Sequence, residues 1–197
     1  MLLKKKSIFI ALSLALILAA AGYYYFAIYN SVHDINIASS YKGFSSAQSL
    51  FSGADMVIIG SPIKKFEDRE LHLTKLSTGH IADIATFTEL NVEKVLKGPE
   101  EDAVDLTVIE PVGVYQTFKG KVRIAHDGYT AMKKGSRYMI FLGKNTFGQY
   151  GVINMQAGKF NLDGTDPDDA SVENLNKQRI FMELTTKFTQ ELMILEE

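Results

Sequence analysis

The sequence predicts a mainly β protein: a small antiparallel β-barrel flanked by a short N-terminal helix and a C-terminal amphipathic helix, behind a single transmembrane helix. Three observations carry this. Residues 8–29 hold no charged side chain and come directly after Lys4-Lys5-Lys6 and Ser7. Between residues 56 and 162, apolar runs and period-two alternations are separated by Gly, Pro, Asn and Asp turns, not by crossover helices. That pattern argues for antiparallel strands in a closed or nearly closed sheet. Beyond Asp166 the apolar residues recur at helical spacing.

The leader comes first. From Ser7 to Tyr29 it has 23 residues, about 34 Å as a helix against a hydrocarbon core of about 30 Å. The lysines predict a cytoplasmic N-terminus, and Tyr23, Tyr24, Tyr25 and Tyr29 suit the far lipid–water interface. Residues 1–31 therefore read as a signal anchor in the cell membrane, with the remainder extracellular. The competing reading is a cleaved signal peptide: residues 8–18 form an apolar core and Ala19-Ala20-Ala21 a small-residue site, which would secrete the chain after cleavage near Ala21. Both readings export the rest of the chain.

Three of the 21 basic residues and none of the 23 acidic ones precede Val32, so the 166 residues after the leader carry a net charge of −5. That length can bury a sizeable core, and the acidity argues against nucleic acid as a partner. The chain has no cysteine. Disulfides, a thiolate nucleophile, an Fe–S cluster, cysteine-ligated zinc and a lipid-modified cysteine are all excluded.

Residues 32–44 are polar and lack periodicity, which predicts a tether; the barrel domain is expected over 45–197. Ser45 and Gln48 have capping-box spacing and Gly53 is a natural stop, predicting a helix over 45–52. Residues 56–60, running on towards Ile63, are a buried strand by length and β-branching. Residues 67–81 read as a charged loop with short strand character. Residues 84–95 alternate imperfectly, which predicts a strand with a bend or bulge. Residues 104–109 alternate until their last step, so one face is buried. Residues 114–118 and 122–125 form either a hairpin about Lys119-Gly120-Lys121 or an ordered loop. Strands are expected next at 137–142, 150–154 and 159–162. Asp166-Pro167-Asp168-Asp169 is a helix start. The stripe Val172, Leu175, Phe181, Leu184, Phe188 and Leu192, thickened by Ile180 and Met182, predicts a docked helix of about 22 residues.

The order of these motifs carries a resemblance over residues 45–163. The run Ala54-Asp55-Met56-Val57-Ile58-Ile59-Gly60, the strand end Val92-Glu93-Lys94-Val95-Leu96-Lys97-Gly98, the segment Lys134-Gly135-Ser136-Arg137-Tyr138-Met139-Ile140-Phe141-Leu142, and then Gly158-Lys159-Phe160, resemble the netrin-like OB-fold domains. That group includes the tissue inhibitors of metalloproteinases and small exported bacterial relatives of unknown role. The resemblance implies an OB-like barrel. It carries over no functional residue, because those inhibitors chelate zinc through an N-terminal cysteine that has no counterpart here.

No catalytic residue, metal ligand or cofactor site is predicted. His72 and His80 share a loop with Glu67, Asp68, Glu70 and Asp83, but without a metal-ligand spacing, and exposed histidines are the default reading. Residues 161–169 are acidic, but lack the glutamate a calcium loop requires. Acid pairs such as Glu100-Glu101 and Asp168-Asp169 read as solvated turns. Phe141 and Phe160 are expected in the core. The binding residues proposed from sequence are Tyr115, Phe118, Lys119, Lys121 and Arg123, in a cationic patch with Lys133, Lys134 and Arg137. The expected function is a non-enzymatic, membrane-anchored binding module with a protein or envelope-polymer partner. The alternatives are a protease regulator and a hydrolase with a carboxylate or loop-metal site.

Overall fold

A computed structural model describes residues 2–79, 81–170 and 175–189. The chain divides into two compact units, Met1–Ile35 with Val114–Arg123, and Asn36–Gly113 with Ile124–Glu197.

In the smaller unit, helix α1 (Leu2–Tyr23) continues through a wider π-helical stretch, Tyr24–Tyr29, to Asn30. Ile8–Tyr29 is long and apolar enough to cross a membrane, and none of it is buried within the protein. Residues 32–37, expected to be a tether, instead form strand β1 (Val32–Ile37). It joins β6 (Val112–Thr117) and β7 (Gly120–His126) in a three-stranded sheet of order β1-β7-β6. Polar side chains misled here because a strand exposed on most positions shows no apolar alternation. Of the two readings of the 113–132 region, the hairpin is the one that forms.

The larger unit begins with α2 (Ala47–Gly53), capped by Ser46 and not Ser45. The Ser46 hydroxyl accepts from the Ser49 N–H at 3.2 Å, and the Ser49 hydroxyl faces the Ser46 N–H at 3.3 Å. Two short hydroxyls thus close the box one residue later than the Ser45–Gln48 spacing predicts. The strands are β2 (Met56–Pro62), β3 (Glu70–Lys75), β4 (Ile81–Lys97), β5 (Thr107–Glu110), β8 (Tyr138–Lys144), β9 (Tyr150–Val152) and β10 (Lys159–Asn161).

Five strands close a barrel in the order β8-β2-β4-β5-β9, with β9 returning to β8. β3 lies along the first half of β4, which turns the expected 67–81 loop into a hairpin arm. Against β2, the register of β4 shifts at Val57/Ile58 and Ile59/Gly60, the irregularity its imperfect alternation predicts. One pairing departs from the antiparallel expectation. β9 leaves β8 through a hairpin and runs antiparallel to it, which leaves it parallel to β5.

The continuous apolar runs have a physical cause. Met56 and Ile58 of β2, with Tyr138, Ile140 and Leu142 of β8, fill the barrel interior beside Leu90, Leu106 and Val108. Val57 and Ile59, with Met139 and Phe141, point the other way, into a second core under α2 and the C-terminal helix. A strand buried on both faces cannot alternate. β5 starts later than expected because Asp105, at φ 52°, breaks the extended chain and leaves Val104 exposed.

Of the expected long C-terminal helix, the described residues show α3 (Pro167–Ala170) and α4 (Leu175–Lys187); residues 171–174 lie outside them. Val172 and Leu192 lie outside the described residues. The docked stripe is Ile180, Leu184 and Phe188, spaced i, i+4, i+8, each burial contributing about 1.5–3 kcal/mol. Phe181 is half-buried, whereas Leu175 and Met182 are exposed. The predicted face is rotated because Lys177 takes a buried position on it.

Candidate functional site

All five proposed binding residues fall on the β6–β7 hairpin, in the unit that contains the apolar helix. Phe118 and Lys119 are the two residues between the strands. Gly120, at φ +118°, ends the turn with backbone that favours glycine. A side chain there would also overlap the Ser31 hydroxyl and the carbonyls of Ser31 and Ile28. The turn therefore seats closely on the end of the helix.

Hydrogen bonds fix it there. The Tyr24 hydroxyl donates to the Phe118 carbonyl at 2.8 Å, and the Gln116 amide to the Tyr29 carbonyl at 3.0 Å. The Lys121 N–H donates to the Ser31 carbonyl at 2.7 Å. His33 Nε2 stands 3.3 Å from the Lys119 carbonyl and 3.4 Å from the Ser31 hydroxyl. The sequence marks Tyr24 and Tyr29 only as interface tyrosines and His33 not at all; their seating of the hairpin shows only in the three-dimensional contact.

Phe118 is 74% exposed, with the Lys119 ammonium 5.7 Å from its ring centre. Tyr115, Lys121 and Arg123 are half-buried. Arg123 is held by Asp34 at 3.3 Å, whereas no described acidic side chain pairs with Lys119 or Lys121. Lys133 and Arg137, expected in the same patch, have their own partners in the larger unit: the Thr165 carbonyl at 3.0 Å and Glu93 at 2.9 Å.

The larger unit holds two buried charge clusters. Glu110 is completely buried and accepts four hydrogen bonds, from Arg69 Nη1 (2.7 Å), the Thr88 hydroxyl, the Tyr129 hydroxyl (3.0 Å) and the Met132 N–H (2.8 Å). Arg69 also donates to the Lys64 and Met132 carbonyls. Burial, with the Glu110 charge beside it, holds the Tyr129 hydroxyl far above its ordinary pKa. Glu110 has the same parity as Leu106 and Val108, a sign in the sequence that it faces the core; Arg69, in a loop by composition, has none.

A second cluster joins β10 to the C-terminal helices. Asp169 receives Lys159 at 2.6 Å and Lys177 at 2.7 Å, all three buried. Asp169 is thus no solvated turn acid. Lys159 also lies over the rings of Tyr129 and Tyr138, and Lys177 over Phe160. Burial pushes Lys177 down to about 8, against the pull of Asp169. Burial also pushes the Asp169 carboxyl up, but the two lysines more than reverse this and hold it below the ordinary value. With every bond directed inward, both clusters brace the fold.

Phe141 and Phe160 are in the core as expected, together with Tyr129 and Tyr138. His72 packs edge-on against Phe87, Asp83 pairs with His126 at 3.0 Å, and His80 lies outside the described residues. Among the described residues no three His, Asp or Glu side chains converge as a metal site. In the 161–169 segment, Asp163 spends its oxygens on Thr165, Asn161 and the Arg137 N–H. No protein-family model matches this chain, and no curated protein matches it.

Proposed function

We propose that this protein is a membrane-anchored, extracytoplasmic binding module, not an enzyme, whose contact element is the β6–β7 hairpin on an OB-like scaffold. The observation that carries the reading is the hairpin tip: an exposed aromatic ring with the Lys119 ammonium beside it and Lys121 three residues on, neither lysine paired with a described acidic side chain, fixed on the unit that holds the apolar helix. Loops held by a rigid scaffold are where binding concentrates. The strand order supports the OB-like part of the proposal. The third barrel strand, β5, pairs with the fifth, β9, in parallel, and the fourth closes on the first. The buried acids and bases support a non-enzymatic role, since their donors and acceptors already serve internal partners.

The absence of native cysteine makes the topology directly testable. Thr146 is exposed in the β8–β9 loop. In intact cells, the full-length Thr146→Cys variant is expected to react with a membrane-impermeant thiol reagent; labelling only after lysis overturns the extracytoplasmic reading. Ligand capture from native membranes is expected to fall about tenfold in Tyr115→Ala/Phe118→Ala, with thermal unfolding unchanged. Undiminished capture would remove the hairpin from the site.

A further inference from the structure

We infer that the β6–β7 hairpin tip is a second membrane contact, with Phe118 entering the lipid–water interface beside the last turns of the apolar helix and Lys119 and Lys121 meeting anionic headgroups. The inference rests on the membrane-anchored reading and names the ligand of the hairpin.

Position is the first argument. Tyr24, which binds the Phe118 carbonyl, lies inside the span Ile8–Tyr29, five residues before its end. At no more than about 1.5 Å per residue, the α-helical rise, that is at most about 7 Å along this wider stretch, comparable to the depth at which amphipathic elements settle in the headgroup–acyl boundary. A tip held against this turn shares the depth of the turn. The tyrosines around it, with Tyr25 and Tyr29 stacked at 5.9 Å, are the residues that favour this layer.

The second argument is hydrogen bonding. Backbone at membrane depth must find partners within the protein. The tip does so. The Phe118 carbonyl takes Tyr24, the Lys119 carbonyl takes His33, and the Lys121 N–H takes Ser31. The Thr117 hydroxyl accepts from the Lys119 N–H and donates to the Gly120 carbonyl, while Gln116 donates to the Thr117 carbonyl.

Charge supplies the third. Residues 31–35 and 114–123 carry three cations and one anion, in a chain whose exported part is net acidic. Arg123 offsets Asp34, which leaves Lys119 and Lys121 for an anionic surface. A bilayer offers an apolar layer for the ring next to phosphates for the ammonium groups. A hydrophilic polymer offers only the second.

The chain has no tryptophan, so Phe118→Trp and Phe147→Trp each provide a single indole reporter in the full-length protein. Both positions are exposed, at 74% and 86%, and neither change threatens the fold. The variants are reconstituted into phosphatidylcholine vesicles with and without phosphatidylglycerol, and flotation reports anchoring. In floated protein, lipids brominated near the headgroup end of the acyl chain are expected to quench the Phe118→Trp variant about threefold more than the Phe147→Trp variant, and acrylamide to quench it less. Lipid quenching of the Phe118→Trp variant should fall about twofold without phosphatidylglycerol, or in the Lys119→Gln/Lys121→Gln background. Floated protein whose two reporters are equally open to acrylamide overturns the inference and leaves the anchor intact. So does a water-exposed reporter at the hairpin tip that becomes shielded only by added polyanion, which assigns the hairpin to a polymer. Quenching indifferent to charge removes the anionic headgroups. Protein that does not float overturns the anchored reading itself.

Discussion

Replacing Glu110 by Gln is expected to destabilise the larger unit by about 3–5 kcal/mol, close to the limit a domain of ordinary stability tolerates. The change keeps the shape of the side chain and alters its chemistry. All four groups around the carboxylate are donors. A glutamine amide can accept from only one side and points N–H groups at the other, and the Arg69 guanidinium, 1% exposed, loses its counter-charge. Thermal unfolding of the full-length protein should shift down by on the order of 10 °C. In a double-mutant cycle, Arg69→Met together with Glu110→Gln should cost little more than either change alone. A loss below about 1 kcal/mol would show that the pair contributes nothing beyond packing.

Asp169→Asn should be comparably severe, again about 3–5 kcal/mol, because two buried ammonium groups then share no carboxylate. The same cluster shapes the pH dependence of stability. Lys177 has a folded pKa of about 8 against an ordinary 10.5. Below about 8 it is charged in both states, and its burial cost is fully present. Between about 8 and 10.5 the unfolded chain binds more protons, so stability rises with pH. Tyr129 and Tyr138 act oppositely: both are raised above the ordinary 10.0, so above that pH the unfolded chain ionises first and stability falls. At the acid end, Asp169 is held low, and its contribution is lost as pH falls through its folded value. Denaturant midpoints are therefore expected to be highest on the alkaline side, between about pH 8 and 10. Lys177→Met keeps the Lys159–Asp169 pair and removes the surplus charge. It should raise stability at neutral pH and flatten the alkaline rise; an unchanged slope in that variant would assign the rise to other groups.

The scaffold was legible in the sequence where burial tracks a period or a run. The dual-facing strands β2 and β8 appear as continuous apolar runs, and the inward face of β5 appears as Leu106 and Val108. The 67–81 segment hid β3 because an arm with both faces partly wet leaves no pattern. β1 escaped for the same reason. Helix caps were legible to within one residue, since Ser45 and Ser46 have the same chemistry and only the packing of Ala47 and Leu50 chooses between them. The candidate site was legible only in part. Phe118 and its cations stand out in a turn-rich stretch, but their seat on the helix end is a contact across about ninety residues, which no local spacing encodes. Buried charges were the least visible, because a lysine on a helix reads as solvated until its partner is placed.

The small sheet is complete early in the chain. Its last strand ends at His126, whereas the barrel cannot close before β9, at Val152. A polypeptide delivered from its N-terminus thus has every strand of the three-stranded sheet available while the barrel still lacks its fourth and fifth staves. The connectivity lets the smaller sheet pair before the barrel is sealed.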